Sequence, residues 1–179
     1  MCKKYRTLMN HYQKAGYYAY AITGVVAAIS WTPAQAATAT ATVDANIIQA
    51  IGMTTNNGLS FGDISAGATS GTVIFTPGGA SSATGGTTIN SSAPGNPASF
   101  NVQGTPNASF SISLPISVLL TDAASHSMTV DNFTSSPTPS GVLDGSGQQT
   151  LFVGATLNVS ANQAFGSYSG QMTVTVGYN

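Results

Sequence analysis

Few residues of this 179-residue chain are of types that could do chemistry. The segment Gly58-Leu59-Ser60-Phe61-Gly62 matches the Gly-x-Ser-x-Gly pattern that presents a nucleophilic serine in hydrolases. That arrangement requires a strand, a sharp turn and then a helix. Here the turn-forming pair Asn57-Gly58 leads into a strand-like run instead. The pattern therefore predicts a structural turn and no catalytic serine.

Histidine and acidic side chains are few and scattered. His126 is the one histidine in residues 37–179, and its serine neighbours predict a solvated loop. The five aspartates lack the Asp-x-Asp spacing of a calcium loop, and the chain has no glutamate. Two carboxylates for glycoside hydrolysis could meet only through the fold. We therefore expect no catalytic residue, no metal ligand and no cofactor, and we do not expect an enzyme.

The distribution of charge excludes further classes of function. All four basic residues lie near the N-terminus: Lys3, Lys4, Arg6 and Lys14. Charged residues make up 5% of the chain, against about 25% in ordinary soluble domains. Residues 37–179 contain no Lys, Arg or Cys, since the single cysteine is Cys2. This region therefore cannot bind the phosphates of nucleic acid through Lys or Arg, form a disulfide or provide thiolate ligands to a metal.

The N-terminal region is organised as a secretory signal peptide. The basic residues precede an apolar run, residues 15–31, which is followed by the small-residue pattern Ala34-Gln35-Ala36. The run is shorter than the roughly 20 residues that cross a bilayer, which argues against the alternative of a membrane anchor. We expect cleavage between Ala36 and Ala37, removal of residues 1–36, and no membrane span afterwards.

Alternating apolar residues predict that the rest of the chain is all-β. The alternation is clearest at 151–159 and 168–178, and shorter stretches surround Phe100 and Phe110. The Gly-, Ser- and Thr-rich composition could also indicate disorder, but period-two alternation in so many segments favours strands. Roughly seven to nine short strands separated by turn signals indicate an antiparallel sandwich or barrel.

Residues 37–179 have a strand-like alternation at each end. At the start, small apolar side chains share one face: Ala39, Ala41, Val43, Ala45 and Ile47. Near Asn179, a second apolar face consists of Tyr168, Met172, Val174, Val176 and Tyr178. A long strand with an unpaired edge is an aggregation hazard, and a strand added by another chain removes it. Residues 38–47 could equally pair within their own domain as a first strand, and the alternation alone does not decide.

Eight short segments together resemble the bacterial secreted family known as domain of unknown function 4402. That family is related to the pilins of chaperone–usher fimbriae and to spore-coat protein U. The matching segments are 59–62, 71–73, 100–104, 114–115, 128–130, 153–159, 166–170 and 174–179. Their order, and the passage from Tyr-x-Gly to a Tyr-Asn ending, carry the resemblance, which covers nearly all of residues 37–179.

The resemblance implies an immunoglobulin-like antiparallel β-sandwich at residues 48–179 that lacks its last strand. Residues 37–47 would be a donor-strand extension, presenting Ala39, Ala41, Val43, Ala45 and Ile47. The strand that accepts a donor and binds a chaperone would comprise Tyr168, Gly170, Met172, Val174, Val176, Tyr178 and Asn179. The carboxylate of Asn179 would bind basic residues of the chaperone. Many pilins carry a disulfide, so the absence of cysteine from residues 37–179 indicates the cysteine-free branch.

The resemblance also implies partners and a location. The subunit would cross the periplasm with a chaperone, pass an outer-membrane usher, and join copies of itself or related pilins in a surface fimbria that serves adhesion or biofilm formation. The alternative is a secreted sandwich that binds carbohydrate or another surface, including a tip adhesin. Such a site favours aromatic side chains in loops, whereas the aromatic residues here mostly occupy alternating, strand-like positions.

Overall fold

The structure, a computed structural model, describes residues 35–179. The chain divides into two units, Met1–Asp44 and Ala45–Asn179, and each is described by itself. In the first unit, residues 35–44 contain no helix or strand and are exposed, including Ala36 and Ala37 at the predicted cleavage site. The basic region and apolar run of the predicted signal peptide lie outside the described residues.

The second unit contains twelve strands and, over the described residues, no helix. The strands are β1 (Gly52–Asn57), β2 (Ser60–Ser65), β3 (Gly71–Phe75), β4 (Ser81–Gly85), β5 (Thr88–Asn96), β6 (Ala98–Gln103), β7 (Ser109–Ser113), β8 (Ser117–Thr121), β9 (Ser127–Ser136), β10 (Ser140–Val142), β11 (Gln148–Val159) and β12 (Thr175–Tyr178). All of their pairings are antiparallel. It follows that no helix of residues 35–179 could cross a bilayer.

The largest sheet is built around β11, the longest strand at 12 residues. One half of β11, residues 148–153, pairs with β6, and the other half, residues 155–159, pairs with β3. Gly154 separates the halves, where a Cβ atom would collide with the backbone at the end of β3. β9 pairs with both halves of β11. At the outer edges of the sheet, β1 pairs with β6, β4 pairs with β3, and β8 pairs with β9.

Two smaller sheets complete the domain. In one, β7 lies between β10 and β12, so β12 has β7 as its strand neighbour. In the other, β2 pairs with β5 across an irregularity between Gly62 and Ile64. Because side chains alternate between the faces of a strand, the apolar residues of β6, β7 and β11 meet between the sheets.

The hydrophobic core consists of two clusters. The first joins β6 and β11 to β7 and the C-terminal segment through Ala98, Phe100, Val102, Phe110, Leu143, Leu151, Val153 and Val174. The second lies under the other half of β11 and contains Phe61, Val73, Phe75, Val130, Ala155, Leu157 and Val159. Within it, the rings of Phe61 and Phe75 meet edge to face with centroids 5.8 Å apart.

The architecture confirms the predicted class, an all-β antiparallel sandwich of immunoglobulin-like type. The predicted number of strands, seven to nine, was wrong, because the domain has twelve. β4 shows why the prediction failed: all five of its residues are exposed, so no apolar face marks it in the sequence. Short strands that pair on the surface leave no period-two signal.

Candidate functional site

Burial alternates along residues 168–178, as the sequence pattern predicts. The half-buried or buried side chains are Tyr168, Met172, Val174, Val176 and Tyr178, and Val174 is 9% exposed. The intervening positions from Ser169 to Thr175 are exposed, including Gly170. The predicted acceptor positions therefore share an inward face, apart from Gly170 and the exposed Asn179.

Residues 168–178 do not form one continuous strand. Only residues 175–178, which form β12, pair with β7, and a separate bridge joins Ser169 to Thr121 of β8. Residues 170–174 belong to no strand. The segment crosses from the edge of β8 in the large sheet to the edge of β7 in a smaller one, so its backbone cannot follow a single neighbour throughout.

Seven of the twelve strands have one strand neighbour within residues 35–179, and β12 and β1 are two of them. β12 pairs with β7 alone, and β1 pairs with β6 alone. Hydrophobic side chains from both regions pack against the first core cluster and yet are only half-buried: Ile51, Met53, Met172, Val176 and Tyr178. We call these five residues the open edge. Each of them packs against the first core cluster and keeps part of its apolar area accessible.

One end of the open edge is held by the hydroxyl of Tyr178. This hydroxyl donates a hydrogen bond to the carbonyl oxygen of Gln49 at 2.8 Å and accepts one from the backbone N–H of Thr105 at 2.7 Å. The hydroxyl of Thr105 donates to the same Gln49 carbonyl at 3.3 Å. We call Gln49, Thr105 and Tyr178 the tyrosine node. A Cβ atom on Gly104 would overlap the Tyr178 hydroxyl, so glycine there leaves room for the node.

The alternation of apolar residues predicts the inward position of Tyr178 but not the tyrosine node. Tyr178 and Gln49 are 129 positions apart, and no local pattern predicts a hydrogen bond over that separation. The glycine that precedes Thr105 is a weak signal at best, because glycine is common throughout this chain.

The predicted donor residues lie in segments without secondary structure. Ala39, Ala41 and Val43 belong to the first unit, and Val43 is 95% exposed. Ala45 and Ile47 belong to the second unit, and Ile47 is 96% exposed. Residues 38–47 form no strand, so the structure shows no pairing of this segment within its own chain. The donor role stays a prediction.

A carboxylate and an imidazole meet in the hairpin between β8 and β9. Asp122 Oδ1 accepts the backbone N–H groups of Ala124 at 2.9 Å and His126 at 2.8 Å, and Asp122 Oδ2 lies 2.8 Å from His126 Nδ1. The Asp122 side chain is 6% exposed and that of His126 is 49% exposed. The hydrogen bond with the His126 side chain, followed by those with the backbone, lowers the pKa of Asp122 below its ordinary value of 3.8.

This pair was not among the predicted site residues, although the spacing of four residues across a turn is a signal for it. Within residues 35–179 no serine or threonine hydroxyl hydrogen-bonds to the His126 ring, so the pair lacks a nucleophile in contact with it. Ser60 of the Gly-x-Ser-x-Gly pattern opens β2, and its Oγ accepts the N–H of Gly62 at 3.3 Å. In the described part of the chain, no three His, Cys, Asp or Glu side chains are grouped to hold a metal ion.

Comparison with protein-family models matches residues 51–178 to the family described as Domain of unknown function (DUF4402). The match includes every strand of the second unit and begins after the predicted donor residues. Comparisons with curated proteins and with solved structures gave no match.

Proposed function

The chain belongs to the Domain of unknown function (DUF4402) family, and we propose that it is a pilin-like structural subunit of a surface fibre. In this proposal, copies join by donor-strand complementation: the N-terminal segment of one copy adds as a strand to the open edge of the next. Secretion through the periplasm, with a chaperone and an outer-membrane usher as partners, belongs to the same proposal.

One observation carries the proposal. β1 and β12 each have one strand neighbour, and half-buried side chains on or next to these strands pack against the first core cluster. An exposed strand edge presents unpaired N–H and C=O groups that recruit another strand. A strand added here would supply both the missing backbone hydrogen bonds and the missing cover for the open edge.

Residues 38–47 have the properties such a strand needs. Their apolar side chains recur at every second position, from Ala39 to Ile47, which is the period of the inward face of residues 168–178. Val43 and Ile47 are almost completely exposed and have apolar area to bury. Complete burial of a Val or Ile side chain contributes about 1.5–3 kcal/mol, so two such residues would add substantially to the backbone hydrogen bonds.

The small side chains of the segment also suit the site. Alanine occupies three of its five apolar positions, and the open edge already holds large, flexible side chains, Met53 and Met172 among them. Methionine adapts its shape to irregular gaps. A donor of small residues would therefore lie close to the backbone of β12 while the methionines pack around it.

The proposal is tested by moving the segment. Deletion of residues 37–47 should leave a domain that cannot form fibres. A copy of residues 38–47 attached after Asn179 through a flexible linker should restore stability within one chain, because the tether gives an effective concentration in the millimolar range. Thermal melts and size-exclusion chromatography should show a monomer that unfolds at a higher temperature than the deletion variant.

Two substitutions in the attached copy provide a matched control. Val43→Asp and Thr42→Asp introduce the same charge at adjacent positions, but only Val43 lies on the predicted inward face. Val43→Asp should abolish the stabilisation, since the burial of an unpaired charge costs free energy. Thr42→Asp should preserve the stabilisation. Equal effects of the two substitutions, or an attached copy that does not stabilise the chain, would show that residues 38–47 are not the donor strand.

A further inference from the structure

The tyrosine node links the open edge to the root of the predicted donor segment of the same copy. Tyr178 is the last residue of β12, and Gln49 lies two positions after Ile47. Among the described residues that precede β1, Gln49 is the one whose backbone is held by side chains, those of Tyr178 and Thr105. The node is therefore the point from which residues 45–48, all exposed, leave the domain.

We propose that Tyr178 is a positioning residue that couples the two roles of a subunit, so that a strand added to β12 fixes the root of the outgoing N-terminal segment. This inference rests on the proposed function and adds a dependence between its two sites. A copy whose open edge is filled would hold Gln49 firmly and present its own donor segment in one direction. A copy whose open edge is empty would hold it loosely.

The coupling follows from how β12 is held. β12 has four residues and one strand neighbour, β7. Short strands paired on one side open readily, because few hydrogen bonds must break. When Tyr178 moves away, the Gln49 carbonyl loses one of its two donors and the Thr105 N–H loses its acceptor. A second neighbour along β12 would suppress this opening and keep the node closed.

The residues around the tyrosine node leave room for the Tyr178 hydroxyl and hold its ring in place. Gly104 leaves the space that the hydroxyl occupies, and the Tyr178 position pairs with Phe110, a fully buried residue of the first core cluster. The ring is thus held by the core, while the oxygen reaches across to the start of β1. Phenylalanine at position 178 would keep the ring and lose both hydrogen bonds.

A spin label near the root tests the coupling. The protein is the full chain with Cys2→Ser, Val43→Asp and Asn46→Cys, labelled with a nitroxide at position 46, with or without an added copy of residues 38–47 after Asn179 that keeps Val43. Val43→Asp in the N-terminal segment prevents that segment from filling the open edge of a second copy. The added copy should immobilise the label, and Tyr178→Phe should remove that response. Exchange of the Thr105 amide hydrogen should also quicken about fivefold or more in Tyr178→Phe, the factor expected for the loss of an ordinary hydrogen bond.

Thr76→Val is the matched control. The Thr76 hydroxyl also donates a hydrogen bond to a carbonyl oxygen and accepts one from a backbone N–H, those of Ala80 at 3.2 Å and 3.1 Å, but both lie within the turn after β3. Its removal should leave the response of the label intact. Gly104→Ala breaks the node without changing Tyr178, because the added Cβ displaces the Tyr178 hydroxyl. It should abolish the response of the label as Tyr178→Phe does.

The outcomes separate the coupling from the proposed function. Stabilisation by the added copy without any change at the label, or with the same change in Tyr178→Phe, would overturn the coupling alone. Failure of the added copy to stabilise the protein would overturn the proposed function and the coupling together. Stabilisation with a label response that needs the Tyr178 hydroxyl supports both.

Discussion

At the scale of single residues, the Asp122 carboxylate accepts several hydrogen bonds within one loop. It satisfies two backbone N–H groups and the imidazole of His126 within one hairpin loop. Aspartate in this position closes the turn after β8 much as it does in other loops where the side chain accepts N–H groups two residues on. The loop adjoins the bridge between Thr121 and Ser169, which starts the C-terminal segment.

The lowered pKa of Asp122 makes the stability of this loop depend on pH. A carboxyl group whose pKa is lower in the folded state stabilises the fold above its unfolded pKa, and this contribution is lost as the pH falls through the folded pKa. We expect Asp122→Asn to lower the melting temperature at neutral pH, and the difference from the unsubstituted protein to shrink as the pH falls below about 4 and through the lowered pKa of Asp122. Thermal melts between neutral pH and about pH 2 measure it.

Asp63→Asn is the control for that measurement, because it removes one negative charge from an exposed position in β2. The effect of net charge is obtained from this variant and subtracted. A difference between Asp122→Asn and the unsubstituted protein that stays the same down to pH 2 would mean that the Asp122 carboxylate does not stabilise the loop through its ionised form.

Sequence patterns predicted which residues face the core better than they predicted polar contacts. Leu151, Val153, Ala155, Leu157 and Val159 were recognised by their alternation, and all five are buried. The hydrogen bonds of Tyr178 were not predicted, because they join residues that only the complete fold brings together. Burial follows from a local period, whereas a side-chain hydrogen bond between distant segments has no local signature.

At the scale of elements, the C-terminal segment shows where the pattern was informative and where it was not. The inward face of residues 168–178 was predicted, but the length of the paired strand was not. Alternation reports which face of an extended segment is apolar and says nothing about its backbone partners. The gap in pairing at residues 170–174 depends on the positions of β8 and β7, which the segment itself does not encode.

Two adjacent residues of β12 test its role as the acceptor strand. Val176 is half-buried in the open edge, whereas Thr175 is exposed. Each is replaced by Asp in the chain that carries an attached copy of residues 38–47 and lacks residues 37–47. We expect Val176→Asp to remove the stabilisation by the attached copy, since a buried charge without a partner costs several kcal/mol, and Thr175→Asp to keep most of it.

Differential scanning calorimetry compares the two variants with and without the attached copy. The comparison without the copy is essential, because Val176 also contacts the first core cluster and its replacement weakens the domain itself. The informative quantity is the increase in melting temperature that the copy produces. Similar increases in Val176→Asp and Thr175→Asp would place the added strand somewhere other than β12.

At the scale of the whole molecule, the composition of residues 37–179 restricts how copies can associate. This region contains all five aspartates and none of the four basic residues. Copies that have lost residues 1–36, as predicted, therefore cannot form Lys or Arg ion pairs with one another, and the long-range electrostatic forces between them are repulsive at neutral pH. Apolar burial and backbone hydrogen bonds remain as the cohesive forces, and these are the two forces that a strand added to the open edge would provide.

If copies assemble into the proposed fibre, that fibre should respond to salt in the opposite sense to assemblies held by ion pairs. Between about 0.05 and 1 M NaCl, screening weakens attraction between opposite charges and equally weakens repulsion between like charges. Once residues 1–36 are removed as predicted, each copy has five aspartates and no Lys or Arg, and added NaCl should leave the dissociation temperature unchanged or raise it slightly, and should speed assembly. Sodium sulfate should raise it further, because sulfate strengthens apolar burial. Heating purified fibres in each salt and measuring released subunits by gel electrophoresis gives the temperature directly. A dissociation temperature that falls as NaCl rises would indicate ionic contacts between copies and contradict assembly through the open edge.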